Sequence, residues 1–448
     1  MKALNPVSLL LIFLCLILGL NIIFYSPMPL YDLITGLKTP DFSITWPKIR
    51  LFIEPLYSFS FYVLTLNKHF YKPAVISWVL WIMGFVFIYS LIDKKSFRQI
   101  LNNIFYSLMI FITFLFFAVL LPIPGPKLEK PKDYIAVDIH SHTISSHDNV
   151  APAEISLKAH FWAGFDVFFN TEHNHTRGFS MFPRESMYKT VYPGLQMQTK
   201  NNVSAVLLAS EKFNGENYKN MMLADIIKEA HKNKIIVIMP HWWKWHRQTF
   251  NELKDIGIDG FEIYNCGYRN FKESECKAMI NFSKRNNLLM FGVTDWHGWG
   301  YMSDVWTVFK GSVLENIQEQ LAKKPQTKII LYRQKQSASV LRFIFEPFSA
   351  FYYYIRNTSI IYIISLTAWI MLAFVIFKSR FFKYVKKYLP LVIFAVYVLG
   401  IIYFYIIVVK QVVNTNEIIM KQLLPVLAVF CLLWIILWDI NKNNSLEI

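Results

Sequence analysis

Ten of the eleven histidines lie between His140 and His297, and four of them, His140, His173, His241 and His297, follow closely on short apolar runs. In DIHSHT, alternation along an extended segment turns His140 and His142 to the same side, so two imidazole nitrogens can grip one cation. SSHDN adds His147 and Asp148, and TEHNH adds Glu172, His173 and His175. VSAVLLAS ends at Glu211, whose two oxygens can bridge a pair of ions. KIIVIMP ends at His241, and LLMFGVT leads into DWHG with Asp295 and His297. Mixed imidazole and carboxylate donors suit zinc, manganese or iron; calcium prefers oxygen alone, and no cysteine takes part. The donors outnumber what one tetrahedral ion uses, which implies two or three divalent ions.

A single histidine at a strand end is more often a hydrogen-bonded core or surface residue than a ligand. Joint recurrence reverses that reading for His140, His142, His173, Glu211, His241, Asp295 and His297, with His147 beside them. Asp148, Glu172 and His175 are open between support for the ligands and plain loop polarity. His160, His231 and His246 read as ordinary surface or helix residues.

The elements that must carry these side chains alternate. YIAVDI, FDVFFNT, VSAVLLAS, KIIVIMP, GFEIYN and LLMFGVT read as strands, separated by helical patterns near 154–163, 221–233 and 274–286. That rhythm implies βα units and a parallel sheet, a barrel or an open one, in which loops at the carboxyl ends of the strands converge. Pro122 to Tyr134, proline- and lysine-rich, reads as a boundary. The expected organisation is an N-terminal membrane region (1–122), a linker (123–133), a metal-binding domain (134–335) and a C-terminal membrane region (336–448).

A 54% hydrophobic content is too apolar for a purely soluble protein. Spans are expected at Val7 to Phe24, Val75 to Ile92, Ile104 to Leu121, Ser359 to Phe377, Leu389 to Val409 and Leu423 to Trp438. The first lacks a clear cleavage site and reads as a retained helix. Glu54 and Pro55 make Leu51 to Leu66 an interfacial or buried helix. Lys2, the loop with Lys94, Lys95 and Arg98, and the loop with Lys378, Arg380, Lys383, Lys386 and Lys387 then share the cytoplasmic side. The metal-binding domain is placed on the extracytoplasmic, periplasmic side, where Cys266 and Cys276 could be bridged or free. The net charge of +16 comes without a basic-aromatic nucleic-acid motif, so no nucleic-acid partner is expected.

HSHT with His147 after it, TEHN, the glutamate after a strand, the PH step at Pro240 and His241, GFEIYN and DWHG resemble, in order and spacing, the PHP family of polymerase and histidinol phosphatase domains. The resemblance covers about Asp133 to Tyr332. It implies a distorted seven-stranded β/α barrel, here set between two groups of transmembrane helices, and a trinuclear site. By matching motif, His140, His142, Glu211 and Asp295 would hold one ion, Glu211 with His241 a second, and His147, His173 and His297 a third. His147 replaces a common aspartate, and Glu172 replaces the aspartate of TDH.

The resemblance implies phosphoesterase activity, with the lipid bilayer and a phosphorylated small-molecule or lipid-linked substrate as partners. His241 and Asp295 are the candidates for proton transfer, and Lys244 and Arg247 of HWWKWHRQ for phosphate contact. Spacing alone leaves two alternatives: a metal-dependent deacetylase or amidohydrolase on envelope sugars, and a non-catalytic metal-binding sensory module.

Overall fold

The computed structural model describes residues 6–65, 68–120, 125–149, 151–208, 213, 215–218, 220–245, 248–266, 273–298, 302–332 and 340–379. Glu211, His246, Arg247, Trp299 and the last two expected spans lie outside them, as does the side chain of Lys244. The chain divides into two compact units, Met1–Ser365 and Leu366–Ile448.

Long apolar runs build the first helices: α1 (Pro6–Phe24), α2 (Glu54–Thr65), α3 (Lys68–Ile92) and α4 (Phe97–Leu120). Val7–Phe24 and Pro73–Ile92 are, among the described residues, the two helices long and apolar enough to cross a bilayer. Glu54, at the start of α2, is fully buried and paired with Arg50 at 2.7 Å. The domain helices follow: α5 (Ala153–Ala163), α6 (Leu223–Lys232), α7 (Trp242–Trp245), α8 (Phe250–Asp255), α9 (Glu273–Arg285) and α10 (Ile317–Ala322). The chain then enters α11 (Val340–Ile344), α12 (Glu346–Asn357) and α13 (Ile360–Lys378).

The strands are β1 (Tyr31–Asp32), β2 (Ser43–Thr45), β3 (Lys127–Glu129), β4 (Tyr134–Ser141), β5 (Val167–His173), β6 (Val191–Gln198), β7 (Ser204–Leu208), β8 (Ile236–Met239), β9 (Gly260–Asn265), β10 (Leu289–Val293), β11 (Val305–Lys310) and β12 (Lys328–Leu331). β2 and β3 form a separate pair; the other ten make one sheet in the order β1-β12-β11-β4-β5-β6-β7-β8-β9-β10. The expected seven strands become ten, because β11 returns antiparallel beside β4, β12 pairs antiparallel with β11, and β1 caps that edge from the segment after α1. The sheet is also mixed: β4, β5 and β6 are parallel, as are β8, β9 and β10, but β7 runs against both its neighbours.

The sheet curls. Ile135, Val137 and Ile139 of β4 share one buried cluster with Phe169 of β5, Ile238 of β8 and Phe291 and Val293 of β10, strands far apart in sheet order. Past β10 the chain closes on β4: Asp295 N–H donates to His140 O at 2.9 Å and His142 N–H to Trp296 O at 3.1 Å. A second cluster, with Ile226, Ile227, Leu253, Phe261 and Met279, packs α6, α8 and α9 onto the outside. α5 ends at Gly164, whose φ is 91° and where a Cβ would fall 2.7 Å from Leu128 O, so no side chain fits.

Candidate metal centre

β4 delivers His140 and His142 fully buried at its carboxyl end, and the β10 extension brings Asp295 beside them. His140 Nε2 lies 3.1 Å from His142 Nε2, and Asp295 Oδ1 is 3.3 Å from each. Donors 2.0–2.1 Å from a zinc ion stand about 3.3 Å apart along a tetrahedron edge, so this triangle has the size of one face of a coordination shell.

Glu262 Oε1 accepts from His140 Nδ1–H at 2.5 Å, which leaves the neutral ring's Nε2 bare. Ser146 spends its hydroxyl hydrogen on Glu172 and lies 3.3 Å from His142 Nδ1, which therefore donates and leaves that Nε2 bare too. Two lone pairs then face each other beside a buried carboxylate oxygen that has no hydrogen-bond partner among the described residues. Such an arrangement asks for positive charge in its middle: a proton or a cation.

The titration directions agree. Burial opposes charge on His140, yet the Asp295 and Glu262 carboxylates push its pKa up to about 9. Burial holds His142 well below its ordinary value. Burial by itself would raise the Asp295 carboxyl, but His140 and His297 hold it well below the carboxylate range.

A second donor set stands next to the first. Asp148 Oδ2 is 3.1 Å from His173 Nε2 at the end of β5 and 3.2 Å from His297 Nε2, while Asp148 Oδ1 is buried without a hydrogen-bond partner among the described residues. The His142 ring lies 4.6 Å from that of His173 and 4.5 Å from that of His297, and exposed His147 stands 5.0 Å from His173. His297 is pushed up to about 9: burial opposes the charge, and Asp295 and Asp148 more than compensate.

On the far side, His241 follows β8 with Nε2 3.7 Å from Asp295 Oδ2 and Nδ1 3.5 Å from Glu262 Oε2. His241 and Asp295 both adopt left-handed backbone, φ 46° and 47°. Non-glycine residues pay about 1–3 kcal/mol for such conformations, and these cluster where geometry is imposed by a site.

Buried polar groups hold the centre from behind. Asp138 accepts from the N–H groups of His140 (3.3 Å) and Thr294 (3.2 Å), from the Thr294 hydroxyl, and faces His160 Nε2 at 3.2 Å. His160, read from sequence as an ordinary helix residue, is fully buried and stacked 3.8 Å from Phe168. Glu172 takes hydrogen bonds from Thr143, Ser146 and Asn170 and so fixes the loop that carries Asp148.

The structure thus brings together His140, His142, His147, His173, His241, Asp295 and His297, and it settles Asp148 among them and Glu172 behind them. Glu211 is outside the described residues, and β7, which leads to it, ends at Leu208 opposite Ile236, the start of β8 and the end of the sheet away from His241. Glu262 and Gln196 were not singled out. Gln196 sits in β6 in register with His173, 7% exposed, its Nε2 3.4 Å from His241 Nε2 and its Oε1 buried without a partner among the described residues. The signal for Glu262 and Asp138 was present as a lone carboxylate inside each of two apolar strand patterns, GFEIYN and YIAVDI. Cys266 and Cys276 are both buried and unbridged.

No protein-family model and no curated protein matches the sequence. Among solved structures, PsfC from Pseudomonas syringae PB-5123 is similar at 14% identity and TM-score 0.35, over 49% of this chain and 98% of that one. A two-domain protein containing a predicted PHP-like metal-dependent phosphoesterase, from Bacteroides vulgatus, matches at 18% identity and TM-score 0.34, over 48% of this chain and 69% of its own. The lesion-specific endonuclease PfuEndoQ from Pyrococcus furiosus matches at 13% and 0.33, over 44% and 57%.

Proposed function

We propose that this chain is a membrane-anchored, metal-dependent phosphoesterase with a PHP-like catalytic domain near residues 134–335, set between two groups of transmembrane helices and facing the periplasm. The observation that carries the reading is the pair of Nε2 atoms of His140 and His142, 3.1 Å apart beside Asp295 Oδ1 with both Nδ1 atoms engaged elsewhere, a nest of lone pairs that must hold either a proton or a metal ion.

His140, His142 and Asp295, with His241 on their flank, are the donors for one divalent ion, and His173, His297 and Asp148, with His147, are those for a second. Imidazole and carboxylate donors fit zinc, manganese or iron. Such ions, when bound, make water acidic enough to attack at neutral pH and offset charge on phosphoryl oxygens. Glu262 holds the His140 ring in the tautomer that keeps Nε2 free. His241 Nε2 and Asp295 Oδ2, 3.7 Å apart, take the proton from the attacking water and return it to the departing oxygen. Lys244 and Arg247, which follow His241 in the sequence HWWKWHRQ, supply the positive charge for phosphate contact. Exposed apolar helix surface, including Ile22 at 73% and Ile92 at 75%, supports anchoring in a bilayer and hence a lipid-linked substrate.

The test is turnover of p-nitrophenyl phosphate and of bis-p-nitrophenyl phosphate by detergent-purified full-length protein loaded with zinc or manganese. We expect phosphate or ester release that drops at least about 100-fold in His142→Ala. Acetate release from acetylated sugars without any phosphoester turnover would overturn the reading in favour of a deacetylase.

A further inference from the structure

Among the described residues, the chain passes between the apolar helices and the sheet at one end. β1, which follows α1, pairs Tyr31 with Leu331, the last residue of β12, and β12 leads on towards α11 and α12. Leu331 also pairs with Val305, and the β11–β4 register, with Thr307 opposite Val137, puts Val305 level with the end of β4 that carries His140. β3, which follows α4, starts opposite Thr45, and the ring of the next residue, Trp46, lies 5.9 Å from that of Tyr332. The helices therefore join the domain at the end that carries the metal centre.

The near ends of those helices meet in the same place. Asn21 Nδ2, in the last turn of α1, donates to Ile355 O at 2.5 Å and Thr358 O at 2.9 Å, where α12 gives way to α13. Ser26 N–H donates to Arg356 O at 2.7 Å. Arg50 pairs with Glu54 at the start of α2, reaches the Thr358 hydroxyl at 3.4 Å and lies 4.1 Å from the Trp46 ring. Three successive contacts, Thr358 to Arg50, Arg50 to Trp46 and Trp46 to Tyr332, thus separate the start of α13 from the level of His140.

The chemistry of that junction is the chemistry of a bilayer surface. α1 carries no charge from Pro6 to Phe24, so hydrocarbon can extend to its end, whereas the Arg50–Glu54 ion pair beyond it belongs outside hydrocarbon. Trp46, Tyr57, Tyr332 and Tyr362, gathered around Arg50 and one another, are the kind of ring that settles at headgroup depth. A headgroup layer occupies about 5–7 Å beyond the hydrocarbon, which brings it to these rings and to the end of the sheet beside them. That end holds the exposed parts of the centre, His147 and Asp148, and Met181, whose sulfur accepts from Ser145. The opposite end, where Tyr134 faces Lys310, carries Leu314, 94% exposed. We propose that the carboxyl end of the sheet, with the metal centre in it, faces the bilayer that holds α1, so that the substrate ester is drawn from the headgroup layer without leaving its leaflet. The substrate part of this rests on the hydrolase function proposed above; the orientation rests only on the membrane helices.

The experiment uses the full chain, with Cys15 and Cys431 replaced by alanine, in phosphatidylcholine nanodiscs doped with a lipid that carries a nitroxide on its headgroup. Met181→Cys, at the rim of the centre, and Leu314→Cys, at the far end of the sheet, are each labelled with bimane. Bimane at 181 is expected to be quenched at least about twofold more strongly than bimane at 314. Should Met181→Cys fail to fold, Ile155→Cys in the first turn of α5, exposed at the same end, takes its place. Equal quenching at the two ends, or stronger quenching at 314, would overturn the orientation. In the same nanodiscs, kcat/KM for phosphate release from phosphatidic acid is expected to exceed that for soluble glycerol 3-phosphate at least about tenfold, because the leaflet holds the ester at the face of the centre. Equal values would overturn the lipid part. The expected quenching without turnover of any phosphoester defeats the hydrolase reading and leaves the orientation standing; turnover with the reverse quenching defeats the orientation alone.

Discussion

At His140 and His142 the decisive quantity is where the protons are. Glu262 and Ser146 take the Nδ1 hydrogens, so the two Nε2 atoms compete for one positive charge, and a proton and a metal ion are rivals for it. Because His140 and His297 are both raised to about 9, each is protonated in the ion-free protein at neutral pH. An ion must displace those protons, so its affinity rises as pH rises and levels off above about 9. Each displaced proton contributes about tenfold per pH unit below that point. Zinc affinity by chelator competition at pH 6.5, 7.5 and 8.5 should therefore climb steeply, and a flat profile would place the ion elsewhere. Gln196 makes a separate prediction. Its amide touches His241 but its Oε1 satisfies nothing among the described residues, so Gln196→Leu should alter folding stability by no more than about 1 kcal/mol. Misorienting His241 should nonetheless slow turnover about tenfold or more at unchanged metal content. Equal loss of metal and activity would mean that the amide is itself a ligand.

At the scale of elements, the loop from Thr143 to Ser146 hangs on Glu172, and Gly178 is what lets it. A Cβ at Gly178 would press on Glu172 Oε1 and would come within 2.8 Å of Asn170 Oδ1, both buried. Gly178→Ala should cost about 1–3 kcal/mol by overpacking and weaken ion binding with it, because Asp148 and His142 lose their support. A urea midpoint and a zinc affinity both equal to wild type would refute that account. The same elements show what the sequence could and could not convey. Strand-end histidines were legible because β4, β5, β8 and β10 obey the parallel βα rule that brings carboxyl ends together. The rule does not extend to β7, which runs antiparallel to both its neighbours, and nothing in the apolar run VSAVLLAS encodes that direction. Gln196 was invisible for a related reason: it lies inside β6, in VYPGLQMQ, and an amide in a strand carries no periodic signal. The roles of Asp138 and His160 depend on a contact 22 residues apart in sequence, which only the fold supplies.

For the whole molecule, apolar helices precede the mixed sheet and an apolar helix follows it, and their outward faces have to be covered. The outer surfaces of α1 and α3 remain largely exposed in the isolated chain, with Ile23 at 72% and Leu80 at 61%. Water would charge about 25 cal/mol for each Å² of such surface, and a bilayer removes that cost. The chain should accordingly stay with membranes through carbonate extraction at high pH. In the proposed topology the Lys94, Lys95 and Arg98 turn between α3 and α4 sits on the cytoplasmic side, as basic loops do. Single cysteines test this directly in a chain whose exposed Cys15 and whose Cys431 are replaced by alanine, because Cys266 and Cys276 are buried and give little background. Glu315→Cys, on an exposed loop of the domain, should react with a membrane-impermeant maleimide in right-side-out vesicles, whereas Lys95→Cys should react only after permeabilisation. The opposite pattern would put the metal centre on the cytoplasmic face and remove envelope lipids from the field of substrates.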